Sequence, residues 1–224
     1  MKRPMPALLT LMALASWACS FTGGGTPTPA PLTTTASGTL VTLTPAPPTP
    51  TALPGGSGPC EANMTTDVPA YTRPSLTADA FGVLSPGIPV TLSSRTADGW
   101  LGFDPAVAQA ANIGVFRLRW IPPETELTLS GDCASVPVEL WVPEPGVCYQ
   151  MSMALVDVFN GPDSSEAATG VLDVGDFAAV DGRIASGWLL VNGFRANTPE
   201  VFGFIQDTDA NLNGPCDSVP EITP

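Results

Sequence analysis

Gly82-Val83-Leu84, Gly87, Arg95 and Gly99-Trp100-Leu101 return 88 residues later as Gly170-Val171-Leu172, Gly175, Arg183 and Gly187-Trp188-Leu189. Outward from this stretch the same shift lays Cys60 on Cys148, Tyr71 on Phe159 and Pro74 on Pro162. Past the tryptophan the shift falls to 84, pairing Leu118, Trp120 and Ile121 with Phe202, Phe204 and Ile205. It then falls to 83, pairing Leu129, Gly131 and Cys133 with Leu212, Gly214 and Cys216. Self-similarity at such a period marks an internal duplication. Each copy opens and closes on a cysteine, so the chain reads as two small units, residues 60–133 and 148–216, with a connection at 134–147 and a tail at 217–224.

Within the second copy, Ala154 to Phe159 alternates around Val156 and Val158, Asn160-Gly161-Pro162-Asp163 signals a turn, and Ala168 to Leu172 resumes an apolar run. Val174-Gly175-Asp176 and Asp181-Gly182 punctuate further short segments, Phe177 to Val180 and Trp188 to Val191. Short strands between Gly-rich turns, with no sustained helical period, predict an all-β fold of small barrels or sandwiches.

These stations, in this order, resemble the bacterial Src-homology-3-like domains. The second copy carries the pattern in Val158-Phe159-Asn160-Gly161-Pro162, Thr169-Gly170-Val171-Leu172-Asp173-Val174-Gly175, Gly187-Trp188 and Gly203-Phe204-Ile205. The first carries it in Tyr71-Thr72-Arg73-Pro74 and Leu118-Arg119-Trp120-Ile121. The resemblance implies two five-stranded barrels in tandem that act as targeting or ligand-binding modules, often toward cell-wall peptides.

A barrel of about 70 residues has a marginal core, and a disulfide closing a loop of that length stabilises it by about 4 kcal/mol in the chain-entropy model. Four cysteines allow three connectivities. Cys60 with Cys133 and Cys148 with Cys216 is preferred because it makes the two copies equivalent, whereas Cys133 with Cys148 would tie them across the connection. That connection, with Pro137, Pro143 and Pro145, reads as a stiff joint.

The remaining cysteine, Cys19, ends a secretory signal at residues 1–19: Lys2 and Arg3 precede an apolar run from Ala7 to Ala18, too short to span a bilayer. Its position resembles the lipid-acceptor cysteine of a bacterial lipoprotein; ordinary signal cleavage without a lipid is the alternative. Residues 20–59 carry no charge and are dominated by Thr, Pro, Gly and Ala. Such a segment cannot bury a core, and as a polyproline-biased stalk it would reach on the order of 100 Å. The expected location is therefore extracytoplasmic, at the cell surface, with contact to the membrane only through the lipid.

All 21 acidic residues follow the stalk, against six arginines, a net charge of −15. That disfavours nucleic acid and other long polyanions. The chain contains no histidine, which excludes Ser-His and Cys-His catalysis and histidine metal sites. Asp207 to Gly214 spaces oxygen ligands as calcium loops do but lacks the glycine and glutamate those loops need, so it reads as a solvated acidic turn, and no cofactor is implied. The functional candidates are aromatic residues and arginines, which offer flat apolar faces and oriented donors: Tyr71, Arg73, Trp100, Phe103, Arg117 and Arg119 in the first copy, Phe159, Trp188, Phe194 and Arg195 in the second. Trp120 and Phe204 are expected in the core, and a core role competes with ligand contact for Trp100 and Trp188. The expected function is non-catalytic binding to cell-wall peptides or envelope proteins. A structural subunit of an envelope complex with only a protein partner is the alternative, and an enzyme working through paired carboxylates the third reading.

Overall fold

Fifteen short strands and five single-turn 3-10 segments make up the protein in a computed structural model that describes residues 53–107, 109 and 112–223. In the first module the strands are β1 (Glu61–Met64), β2 (Val68–Tyr71), β3 (Ala80–Leu84), β4 (Val90–Thr91), β5 (Ser94–Arg95), β6 (Leu101–Phe103), β7 (Arg119–Ile121) and β8 (Leu127–Ser130). The second contains β9 (Tyr149–Met151), β10 (Val156–Val158), β11 (Gly170–Leu172), β12 (Phe177–Ile184), β13 (Trp188–Asn192), β14 (Phe202–Gln206) and β15 (Leu212–Asn213). The described residues contain no α-helix, and none of their helical segments is long and apolar enough to cross a membrane. Cys19 and the expected stalk, as far as residue 52, lie outside the described residues.

Pairing is antiparallel throughout the sheets. The first module holds the orders β4-β1-β8 and β3-β2-β7-β6-β5, the second β10-β11 and β14-β13-β12-β9-β15. The duplication is visible element by element, since β1, β2, β3, β7 and β8 occupy the places of β9, β10, β11, β14 and β15. The single strand β12, bulged between Val180 and Gly182, replaces the separate β4 and β5.

Both disulfides join the ends of a module: Cys60 to Cys133 with Cα atoms 4.6 Å apart, and Cys148 to Cys216 at 4.8 Å. The glycine two positions before each closing cysteine has a positive φ, +85° at Gly131 and +110° at Gly214. A Cβ at either would collide with the carbonyl of the residue preceding the opening cysteine, Pro59 or Val147. The glycine is therefore repeated because the disulfide-bonded ends press backbone on backbone.

The segments expected as connection and tail belong in part to the modules. Past each closing cysteine the chain turns along the strand carrying the repeated arginine. The Arg95 N–H donates to Pro137 O at 2.9 Å and Glu139 N–H to Arg95 O at 2.8 Å; Arg183 N–H donates to Pro220 O and Ile222 N–H to Arg183 O at the same distances. The arginine side chains pin the straps, Arg95 Nε on Val136 O and Arg183 Nη2 on Cys216 O. Ser135-Val136-Pro137 and Ser218-Val219-Pro220 are thus equivalent, and the repeat runs beyond its cysteines.

Each module has its own apolar core, the first including Met64, Phe103 and Ile121, the second Val158, Leu172 and Ile205. A third cluster joins them: Trp100, Val115, Phe116, Leu118 and Trp120 from the first module against Tyr149, Met151, Phe177 and Ala179 from β9 and β12. Trp141 of the connection packs into this cluster, stacked on Phe177 at 5.7 Å and edge-on to Tyr149 at 5.5 Å. The described residues accordingly form one compact unit.

Candidate functional site

The repeat builds the same aromatic pair twice. Tyr71 at the end of β2 meets Trp100 edge to face, with ring centres 5.9 Å apart; Phe159 after β10 meets Trp188 in the same way at 5.6 Å. What lies beside each pair differs. In the first module a 3-10 turn, Gly114–Arg117, carries Phe116, and in the second Gly193–Arg195 carries Phe194. Phe116 is fully buried, with ring centres 4.9 Å from Phe177 and 5.5 Å from Tyr149, whereas Phe194 is 67% exposed. The same contrast separates Leu118, 9% exposed, from Phe202, 54% exposed. Trp120 is fully buried, but Phe204, expected in the core, is only half-buried.

The covering surface explains the asymmetry. β9 is buried on both faces, and its Tyr149 and Met151 pack on the first module. Their counterparts in β1 are Glu61 and Asn63, which remain partly exposed while only Ala62 and Met64 are buried. In the first module β1 therefore lacks the apolar face that β9 lays on its neighbour.

Beside Trp188 the open side of the second module forms a shallow groove of about 380 Å³, walled by Pro162, Asp163, Ser186, Gln206 and Asp207. The Asp163 carboxyl is held below its ordinary range by the N–H and hydroxyl of Ser165. Arg195 pairs with Asp181 and lies 3.9 Å from Glu144, so its charge is already balanced.

Where the modules meet lies a second cavity, of about 410 Å³, lined by Arg73, Asp79, Asn112, Phe116, Arg119 and Asn213 among others. The Arg73 guanidinium sits over the Phe116 ring at 4.8 Å and donates to Asn213 Oδ1 and, at 3.3 Å, to Thr72 O. Burial, partly offset by the Tyr149 phenol and reinforced by the neighbouring Arg119, lowers its pKa to about 10. Arg119 lies over Phe81 at 4.8 Å; its Nη1 donates to Leu118 O at 2.7 Å and its Nη2 to Gln109 Oε1 at 2.5 Å. Its Nε is buried without a partner among the described residues, and burial pulls its pKa down as well. Asn213 Nδ2 donates to Asn112 Oδ1 at 2.8 Å, binding β15 to the long loop of the first module.

Of the residues singled out from sequence, Tyr71, Arg73, Trp100 and Arg119 converge at the junction, where Trp100 is buried and presents nothing to solvent. Phe103 is corrected to a core residue of the first module. Arg117 lies at the surface, paired with Asp104 at 2.9 Å. Phe159 and Trp188 form one pair on the second module, with Trp188 lining the groove, whereas Phe194 is exposed on its 3-10 turn and Arg195 pairs with Asp181. Phe116, Tyr149, Phe177 and Asn213 escaped the sequence reading. Phe116 alone left a signal, because Gly114-Val115-Phe116-Arg117 parallels Gly193-Phe194-Arg195 across the repeat.

No protein-family model matches the chain, and no curated protein does. Among solved structures, that of NlpC2 from Trichomonas vaginalis is similar at 13% identity and a TM-score of 0.26, covering 72% of this chain and 49% of that one. NlpC1 from the same organism gives 12%, 0.24, 72% and 48%. The chain spans about half the length of these proteins, and the likeness is too low to define a fold or an activity.

Proposed function

We propose that this chain is a non-catalytic binding protein of the cell envelope, a tandem of Src-homology-3-like modules held out on a stalk from a lipid on Cys19. The order of the glycine, tryptophan and proline stations supports the family reading, and two disulfides belong to an oxidising compartment. The observation that carries the function is the unequal fate of equivalent faces. Phe116 and Leu118 are covered by protein, while Phe194 and Phe202 are left open on the second module, which also carries the groove at Trp188. Large exposed aromatics grouped on one face mark a contact surface. The two modules act as one body, with the first serving as a platform and the second presenting the face to a cell-wall peptide.

Sedimentation of the full chain with purified peptidoglycan tests this. Wild type should co-sediment and the double variant Phe194→Ala, Phe202→Ala should not, its melting unchanged; equal sedimentation of both would refute the assignment of the face. A protein partner is the second reading, favoured because the covered counterpart of this face is itself a protein-to-protein contact. Absence of wall binding, with face-dependent capture of an envelope protein, would select it.

A further inference from the structure

Two guanidiniums at the module junction are buried without an acid, in a chain that has acids to spare. Arg73 is 6% exposed and Arg119 7%, yet neither forms an ion pair with any described residue. The exposed Arg117 and Arg195, by contrast, each have a carboxylate partner. With 21 acidic residues to six arginines after the stalk, an internal counter-ion was available to the sequence and was not placed there. Asp79 acts on Arg73 and Asp104 on Arg119 only from beyond ion-pair distance, which leaves two buried, mutually repelling cations incompletely compensated.

Both arginines line the same cavity. Among the described residues Arg119 Nε has no partner, and the five donors of Arg73 meet two acceptors, Thr72 O and Asn213 Oδ1. Asp79, the one acidic residue among the described lining residues, is exposed and is not ion-paired to Arg73. We propose that this cavity binds a carboxylate, received by the open donors of Arg73, with Arg119 as the second cation of the site.

A planar monoanion matches the fork of a guanidinium. Dianions and polymeric anions are disfavoured by the acidity of the surrounding protein, whereas one carboxylate can enter. Asn112 and Asn213 beside the arginines are suited to an adjoining amide, and a cavity of about 410 Å³ has room for a small peptide end. This site shares no lining residue with the groove at Trp188, so its occupancy is separate from the function proposed above.

The test is a titration of the full chain with N-acetyl-alanyl-alanine, its C-terminal amide, acetate and inorganic phosphate, followed by calorimetry and by the arginine Nε–H signals in NMR. The free acid should move the Arg73 and Arg119 signals and bind at least about tenfold more tightly than the amide, the discrimination of one charge-assisted contact. Acetate as effective as the dipeptide would identify a free small carboxylate as the ligand; a clear advantage for the dipeptide would identify a peptide end. Arg73→Lys, which keeps the charge and loses the fork, should weaken the acid about tenfold; if it fails to fold, the wild-type ligand series decides alone. Equal binding of acid and amide, tighter binding of phosphate, or no movement of either signal overturns the proposal. So does loss of acid-specific binding in Phe194→Ala, which would put the ligand on the aromatic face.

Discussion

Removing the same atoms from equivalent places in the two modules should have very different costs. Phe116→Ala deletes a fully buried ring that touches Phe177 at 4.9 Å, Tyr149 at 5.5 Å and Trp141 at 6.1 Å and supports the Arg73 guanidinium at 4.8 Å. Phenylalanine truncations in cores cost about 3–5 kcal/mol. The upper half of that range is expected, because the substitution opens a void and also strips a buried cation of its ring, although these contributions do not simply add. For a unit of this size about 2–4 °C accompanies each kcal/mol, so a fall of roughly 8–20 °C in Tm is expected. Phe194→Ala, on an exposed face, should stay within about 0.5 kcal/mol of wild type. Urea unfolding and calorimetry with both disulfides oxidised measure both variants. In wild type one transition should carry both modules, since the third core belongs to neither alone. A cost below about 1 kcal/mol for Phe116→Ala, parity between the two variants, or two separated transitions in wild type would refute the shared core.

Gly214→Ala should destabilise by about 1–3 kcal/mol, because φ is +110° and a Cβ meets Val147 O; chemical unfolding checks it, and Gly131→Ala should behave alike. The Asp104 carboxyl, held below its ordinary value first by the hydrogen bond from Arg117 and then by the Ala106 N–H, should titrate lower than a free aspartate. Its small stabilising effect is present above the ordinary carboxylate range and lost as pH falls through the depressed value; carboxyl NMR should show the midpoint rising in Arg117→Ala. Cys19→Ser should release the chain into the medium, and equal membrane partitioning of mutant and wild type would remove the lipid anchor from the reading.

The duplication, the all-β character and the pairing of the cysteines were legible in sequence because each is marked by self-registration or by local chemistry: glycines at turns, prolines that interrupt, cysteines at matched ends. The strap was legible too, in Ser135-Val136-Pro137 and Ser218-Val219-Pro220, but it lies outside the cysteines that define the unit and was read as connection and tail. The fate of each aromatic face was not. Gly114-Val115-Phe116-Arg117 and Gly193-Phe194-Arg195 are nearly the same words, and only the surface brought against the first makes Phe116 core and leaves Phe194 in water. That surface differs from its own counterpart by Tyr149 and Met151 in place of Glu61 and Asn63, so that the apolar positions of β9 fall in the opposite phase to those of β1. Likewise Arg73 and Arg119 read as surface donors until the packing of one module on the other buried both beside a single cavity. Local pattern reports which side of a strand is apolar; whether that side meets its own core, a neighbouring module or solvent depends on residues far away in the chain, and only the tertiary structure brings those together.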